Sequence, residues 1–307
     1  MSQEKTYRYL HFDVFTDRVL SGNQLAVYPD ARGLDPAIMQ AIALEMAFSE
    51  TTFVFPPEDP ATDFRVRIFT PRAELPMAGH PTIGTTFALA REGRIAGERT
   101  SIMLGLGIGP TRVELEWTSD RLRFAWMTQH LPEFGRPLPN IGEMAAALGV
   151  QEAGIRSANM PIQMVSCGLP FLYVPMASRS AVDAAELDRQ ALLRFCKTAR
   201  IDEPGLFIFS TQPANDGATV YSRMFAPGFG VPEDPATGGA SGPLGSYLVR
   251  HGAVGPEEAA HMISLQGVKM GRPSRIHISI GTGEGQITSV RVGGQAAFVG
   301  EGTLQTG

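Results

Sequence analysis

Cysteine is scarce in this chain: Cys167 and Cys196 are the only two among 307 residues. Two thiols are too few for a disulfide scaffold or a cysteine zinc site, and both read as reduced, partly buried side chains. Basic runs are missing as well. With 26 Lys and Arg against 31 Asp and Glu, the formal charge is −5 and no lysine or arginine block stands out. That removes the electrostatic footprint of a nucleic-acid binder and gives no hold on an acidic membrane. No apolar run is long enough to span a bilayer, and Met1-Ser2-Gln3-Glu4-Lys5 leads directly into alternating polar and apolar residues without a signal core. The expected location is the cytoplasm. The histidines at 11, 80, 130, 251, 261 and 277 have no metal-ligand spacing, and there is neither a His-Glu-x-x-His nor a Gly-x-Ser-x-Gly motif. Gly105-Leu106-Gly107-Ile108-Gly109 is followed by the strand alternation of Val113, Leu115 and Trp117 rather than by a helix, so it is not a dinucleotide loop. No metal is expected. Cys167, in an apolar context, reads as core rather than as a nucleophile.

What is present describes a folded protein. The 43% apolar and 19% charged residues are ordinary for a globular chain, and at about 100 to 200 residues per domain the length suggests two domains. The 34 glycines and 23 prolines exceed the usual combined share of about 12% and carry no period, which implies many tight turns and a strand-rich fold. Leu10, Phe12 and Val14 alternate with polar residues as a half-buried strand, and Gln24 to Tyr28 follows after a Ser21-Gly22-Asn23 turn. Asp35-Pro36 is a helix start, with Ile38, Ile42 and Met46 along one face; Ser49-Glu50 then marks the junction to a strand at 51–55. Phe64, Val66 and Ile68 form a further strand, a second helix begins just after Gly79-His80-Pro81, strands fill 101–126, and Met127 to Pro139 reads as a proline-rich linker.

The strongest signal is an internal repeat. Arg67-Ile68-Phe69-Thr70-Pro71 resembles Arg223-Met224-Phe225-Ala226-Pro227. Each is followed by a loop containing proline and an acid, a small-residue turn, and an apolar helix ending Arg91-Glu92-Gly93 or Arg250-His251-Gly252. Upstream, Phe53-Val54-Phe55 matches Phe207-Ile208-Phe209, each after a helical segment (35–47 and 188–199). The chain reads as an α+β protein made of two copies of one unit, strands wrapped on a central helix. The domains are expected at 1–128, with a C-terminal return at about 293–307, and at 129–292. Ala78-Gly79-His80-Pro81-Thr82 and Glu233-Asp234-Pro235-Ala236-Thr237-Gly238-Gly239 are then equivalent helix starts. Backbone N–H groups and the helix dipole make such starts natural seats for a carboxylate. Two of them facing one cleft would suit a small acidic substrate, although the same glycines and prolines also serve as plain helix caps.

Phe12-Asp13-Val14-Phe15-Thr16, Gly22-Asn23-Gln24-Leu25-Ala26-Val27, Phe48-Ser49-Glu50-Thr51-Thr52-Phe53-Val54, Glu74-Leu75-Pro76-Met77-Ala78-Gly79-His80-Pro81 and Glu233-Asp234-Pro235-Ala236-Thr237-Gly238 occur in the order and spacing of the phenazine-biosynthesis PhzF-like isomerases, which the chain resembles over most of its length. The resemblance implies the diaminopimelate-epimerase-like fold of two pseudo-symmetric halves. It also implies a homodimer and an activity like the isomerisation of trans-2,3-dihydro-3-hydroxyanthranilate, in which a glutamate moves a proton from C3 to C1 without metal or organic cofactor. Carried over, that glutamate is Glu50; His80 and Asp234 match the other polar active-site groups, and Asn23, Gly79, Gly238 and Gly239 fall in the substrate pocket. A carboxylate can accept and return a carbon-bound proton when apolar walls raise its pKa, and Phe48 and Phe53 stand beside Glu50 in sequence as such walls. The amino-acid epimerases of this superfamily carry a cysteine at each helix start, where this chain has Ala78 and Thr237. The phenazine members carry a serine where this chain has Gly239, with Ser241 two residues on as a substitute hydroxyl. The expectation is a cofactor-independent isomerase of a small carboxylate. An epimerase or racemase, and a carboxylate-binding protein without chemistry, are the alternatives.

Overall fold

The computed structural model describes residues 5–306, so most of the N-terminal Met1 to Lys5 tract read above lies outside the described residues. In chain order the elements are β1 (Lys5–Val14), β2 (Asn23–Tyr28), α1 (Pro36–Met46), β3 (Glu50–Phe55), β4 (Phe64–Phe69), β5 (Glu74–Leu75), α2 (Gly79–Arg91), β6 (Ser101–Leu106), β7 (Gly109–Thr118) and β8 (Arg121–Gln129). Then come β9 (Glu133–Leu138), α3 (Ile141–Ala147), α4 (Ala153–Arg156), β10 (Ile162–Ser166), β11 (Pro170–Pro175), α5 (Arg179–Ala184), α6 (Arg189–Ala199), β12 (Gly205–Ser210) and β13 (Val220–Ala226). After these follow β14 (Val231–Asp234), α7 (Gly238–Arg250), α8 (Pro256–Ala259), β15 (Met262–Gln266), β16 (Ser274–Gly283), β17 (Gln286–Gly294) and β18 (Ala296–Thr306). The chain divides into two compact units, one running to Thr128 and resuming at Arg291, the other Gln129–Val290.

The repeat is visible in the strand pairing. In the first unit β1 and β2 are antiparallel, β2 and β3 parallel, β3 and β4 antiparallel, β4 and β5 antiparallel, β4 and β6 parallel, and β6 and β7 antiparallel. The second unit repeats this sequence with β10, β11, β12, β13, β14, β15 and β16. Even the helix before the third strand recurs: α1 and α6 are both 11 residues long, each is capped by an aspartate side chain (Asp35, Asp188), and each ends on a left-handed residue (Ala47, Arg200).

The parallel pairs are sheet centres, with apolar side chains needed on both faces. Every residue of β12 is buried; Phe207 and Phe209 pack with Leu244 and Tyr247 of α7, while Leu206 and Ile208 pack with Leu192 and Phe195 of α6. In the first unit, Ala26, Tyr28 and Phe53 meet Met39 and Ile42 of α1, and the other face of the same strands meets α2. Helices α2 and α7 are each 13 residues long, and their first 11 residues, Gly79–Leu89 and Gly238–Leu248, are all buried. A helix enclosed on all sides needs no amphipathic stripe, which is why small and hydroxyl residues dominate both. Gly84 shows the tightness: a Cβ there would lie 2.5 Å from Leu25 Cδ2 and 2.7 Å from Val14 Cγ2.

Three expectations are corrected. The tract read as a linker contains β9, antiparallel to β10, because backbone pairing outweighs the poor strand propensity of Gly135 and Pro137. The second helix starts at Gly79 itself, taking His80 and Pro81 into its first turn. Cys167 and Cys196 are 1% and 4% exposed, buried rather than partly so. The C-terminal strand β18 pairs antiparallel with β1. No helix among the described residues is long and apolar enough to cross a membrane.

Candidate active site

Asn23 and Glu50 are the first residues of β2 and β3, which run parallel with Leu25 opposite Glu50. Alternation puts Asn23, Leu25, Glu50 and Thr52 on one face. This is the α2 face, since Leu25 packs at Gly84 and the Thr85 hydroxyl donates to Thr52 Oγ1 at 2.8 Å. His80, in the first turn of α2, therefore meets both polar strand ends. Its Nδ1 lies 3.1 Å from Asn23 Nδ2, and its Nε2 lies 3.4 Å from Glu50 Oε2. Asn23 and His80 are 1% and 2% exposed. Burial pushes the His80 ring down to about pKa 3, against a smaller opposing effect of the Gln24 backbone. The contact with Glu50 is thus a neutral imidazole facing a carboxyl group rather than an ion pair.

Phe53 is not a wall of Glu50. Three positions along β3 it leaves by the opposite face, where it stacks on Tyr28 with ring centroids 5.0 Å apart and meets Phe69 edge-on. Phe48 instead stacks on His11 at 4.8 Å.

The second unit holds the other predicted residues. Asp234 ends β14, 4% exposed, and Oδ2 accepts from the Thr237 hydroxyl at 2.5 Å. Gln266, which the sequence reading missed, ties this turn together. Its Nε2 donates to the Asp234 carbonyl at 2.7 Å and to Thr237 Oγ1 at 3.0 Å, and its Oε1 accepts from the Thr237 N–H at 3.1 Å. A glutamine at the end of a strand has no local signature, so only the parallel pairing of β15 with β13 reveals it. Thr237 precedes α7, where a threonine ordinarily caps, yet its side chain makes no capping bond because it serves Asp234. Ala78 likewise supplies no side-chain cap to α2. Gly79, Gly238 and Gly239 thus open two helices whose first N–H groups lack the usual side-chain acceptor, the condition for carboxylate binding. The Ser241 hydroxyl is spent on the Thr237 carbonyl at 2.9 Å and does not replace the serine missing at Gly239. Asn23, Glu50, His80 and Gly79 are therefore assembled in one unit, and Asp234, Gly238 and Gly239 in the other.

A model of the phenazine biosynthesis-like protein family matches residues 12–302. The chain belongs to that family. It is 36% identical over 298 residues to the trans-2,3-dihydro-3-hydroxyanthranilate isomerase of Pseudomonas fluorescens, covering 97% of this chain and 99% of that one. It is also 36% identical over 305 residues to an uncharacterized isomerase of Mesorhizobium japonicum, with 98% and 99% covered. A phenazine biosynthesis protein of the PhzF family from Bacillus anthracis superposes with a TM-score of 0.85 at 25% identity, covering 98% of this chain and 99% of that one. The hydroxyproline epimerase of Agrobacterium vitis superposes at 0.69 with 14% identity, covering 99% and 93%, and shares the fold alone. The fold is the α+β, diaminopimelate-epimerase-like one, and this family member is an isomerase like its curated relatives. Its two thiols are not at the helix starts: Cys167 follows β10 and Cys196 lies in α6, and burial pushes them up to about 12 and about 11. Thiols so reluctant to ionise are poor bases for racemisation.

Proposed function

We propose that the protein moves a proton within a small cyclic, unsaturated carboxylate related to dihydro-hydroxyanthranilate, with Glu50 as the proton carrier. The observation that supports this most directly is the Glu50 carboxylate facing a neutral, buried His80. A cationic histidine would bind the carboxylate and lower its basicity; a neutral imidazole leaves it able to take a proton. The carboxylate removes a proton from carbon, the C–H electron pair enters the neighbouring unsaturation, and the resulting acid returns the proton to a second carbon. The reaction balances without an oxidant. Asn23 holds the His80 ring and Asp234 serves as the second polar group for orienting substrate and assisting transfer; the helix starts at Gly79 and at Gly238-Gly239 are each candidate seats for a carboxylate. A cytoplasmic homodimer that needs neither metal nor organic cofactor belongs to the same reading and rests on the family resemblance.

The test is proton NMR in D₂O with trans-2,3-dihydro-3-hydroxyanthranilate and related small carboxylates, for the wild type and Glu50→Gln. Isomerisation or carbon-bound deuterium uptake is expected in the wild type and is expected to fall by about 10² to 10⁴ in the variant, the usual contribution of a positioned acid–base group. Equal exchange in the two proteins would remove Glu50 from the mechanism.

A further inference from the structure

Arg223 on β13 and Glu233 on β14 form a two-pronged ion pair, Nε to Oε1 at 2.8 Å and Nη2 to Oε2 at 2.9 Å. The Arg223 side chain is 6% exposed. Its remaining nitrogen, Nη1, donates to the Val182 and Ala185 carbonyls at 3.0 and 2.6 Å, and its guanidinium lies 4.8 Å from the Phe225 ring centroid. We infer that this pair is the positioning device for Asp234, deciding which face of β14 its carboxylate leaves. The inference rests on the role given to Asp234 above.

Backbone pairing alone holds β14 weakly. The strand has four residues, one of them Pro232 without an N–H, and its register with β13 is interrupted by a bulge between Met224 and Ala226. Beyond that pairing the strand is held by side chains, Gln266 on the Asp234 carbonyl at its end and Arg223 on Glu233 one residue earlier. Glu233 and Asp234 leave by opposite faces, so fixing Glu233 on Arg223 directs Asp234 to Thr237.

The first unit contains the same device as an internal comparison. Arg67 grips Glu74 at 2.7 and 2.6 Å and lies 5.2 Å from the Phe69 ring centroid. In both copies the glutamate stands six residues before the second residue of the helix, His80 or Gly239. The position after it is Leu75 in one copy and Asp234 in the other. The copy followed by the apolar residue faces solvent, with Glu74 42% exposed; the copy followed by the carboxylate is withdrawn, with Glu233 20% exposed. A buried ion pair is costly to desolvate and adds little net stability over apolar residues, so its value lies in fixing one geometry.

The experiment compares Glu233→Ala, Glu74→Ala and Asp234→Asn, each alone, and Glu233→Ala combined with Asp234→Asn. Turnover of trans-2,3-dihydro-3-hydroxyanthranilate, urea denaturation and a crystal structure of Glu233→Ala are the readouts. Glu233→Ala is expected to lower kcat on the order of 10- to 100-fold with KM within about threefold, the scale of a misplaced group. The same change in the Asp234→Asn background should cost no more than about twofold, and Glu74→Ala alone no more than about threefold, a pattern that a merely structural pair would not produce. In the crystal, the Asp234 to Thr237 hydrogen bond should be lost. Retention of that bond, additive losses in the double variant, or an equal loss from Glu74→Ala would each overturn the inference. Full turnover by Asp234→Asn would instead remove the role of Asp234 itself.

Discussion

His80 makes the stability of the protein depend on pH in a way that one substitution isolates. Its folded-state pKa is about 3 because burial disfavours the charged ring. In the unfolded chain the same ring titrates near about 6.5. Between those values the unfolded state binds a proton that the folded state refuses, so this contribution to stability is complete above about pH 6.5 and is lost as pH falls. At pH 5 the loss is about 2 kcal/mol, from about 1.5 pKa units at 1.36 kcal/mol each. His80→Asn keeps a polar group beside Asn23 but cannot take up the proton. Urea denaturation of both proteins at pH 7 and pH 5 is the assay. The variant is less stable at either pH because it leaves a buried cavity, but its decrease from pH 7 to pH 5 should be smaller than that of the wild type by about 2 kcal/mol. Equal decreases would refute the reasoning and mean that His80 is protonated in the fold as the counter-ion of Glu50.

Two further outcomes follow from the packing and the second constellation. Gly84→Ala should destabilise the protein by about 1 to 3 kcal/mol in urea denaturation, since the new methyl group would meet Leu25 and Val14 inside van der Waals distance. Unchanged stability would mean that α2 is free to move away from β1 and β2. Thr237→Val removes the donor to Asp234 and the acceptor of Gln266, leaving buried polar atoms without partners at a cost of about 1 to 3 kcal/mol. It should lower kcat/KM by about 10- to 100-fold in the NMR assay, and wild-type kinetics would show that the hydroxyl is incidental to Asp234.

Much of this architecture is written locally. Asp35-Pro36 and Asp188 start helices because a carboxylate next to the first turn meets free N–H groups whatever the rest of the chain does. The alternation in β1 and the equivalent Arg67 and Arg223 tracts likewise follow from short-range periods and repeated residues, and Glu50, His80 and Asp234 stand in family motifs that can be read without coordinates. Other features were decided only when strands paired. Whether Phe53 walls Glu50 or packs on Tyr28 depends on which face of β3 meets α2, and β9 is a strand only because β10 offers it an edge. Gln266 reaches Asp234 and Thr237 from 29 to 32 residues away in sequence, and Thr237 gives up its capping role to a carboxylate three residues before it. Residue type and spacing determine which groups are available for chemistry and where helices begin. The partner of each polar group is settled by burial, because once water is excluded every donor and acceptor must be matched inside the protein, and that matching exists only in the folded chain.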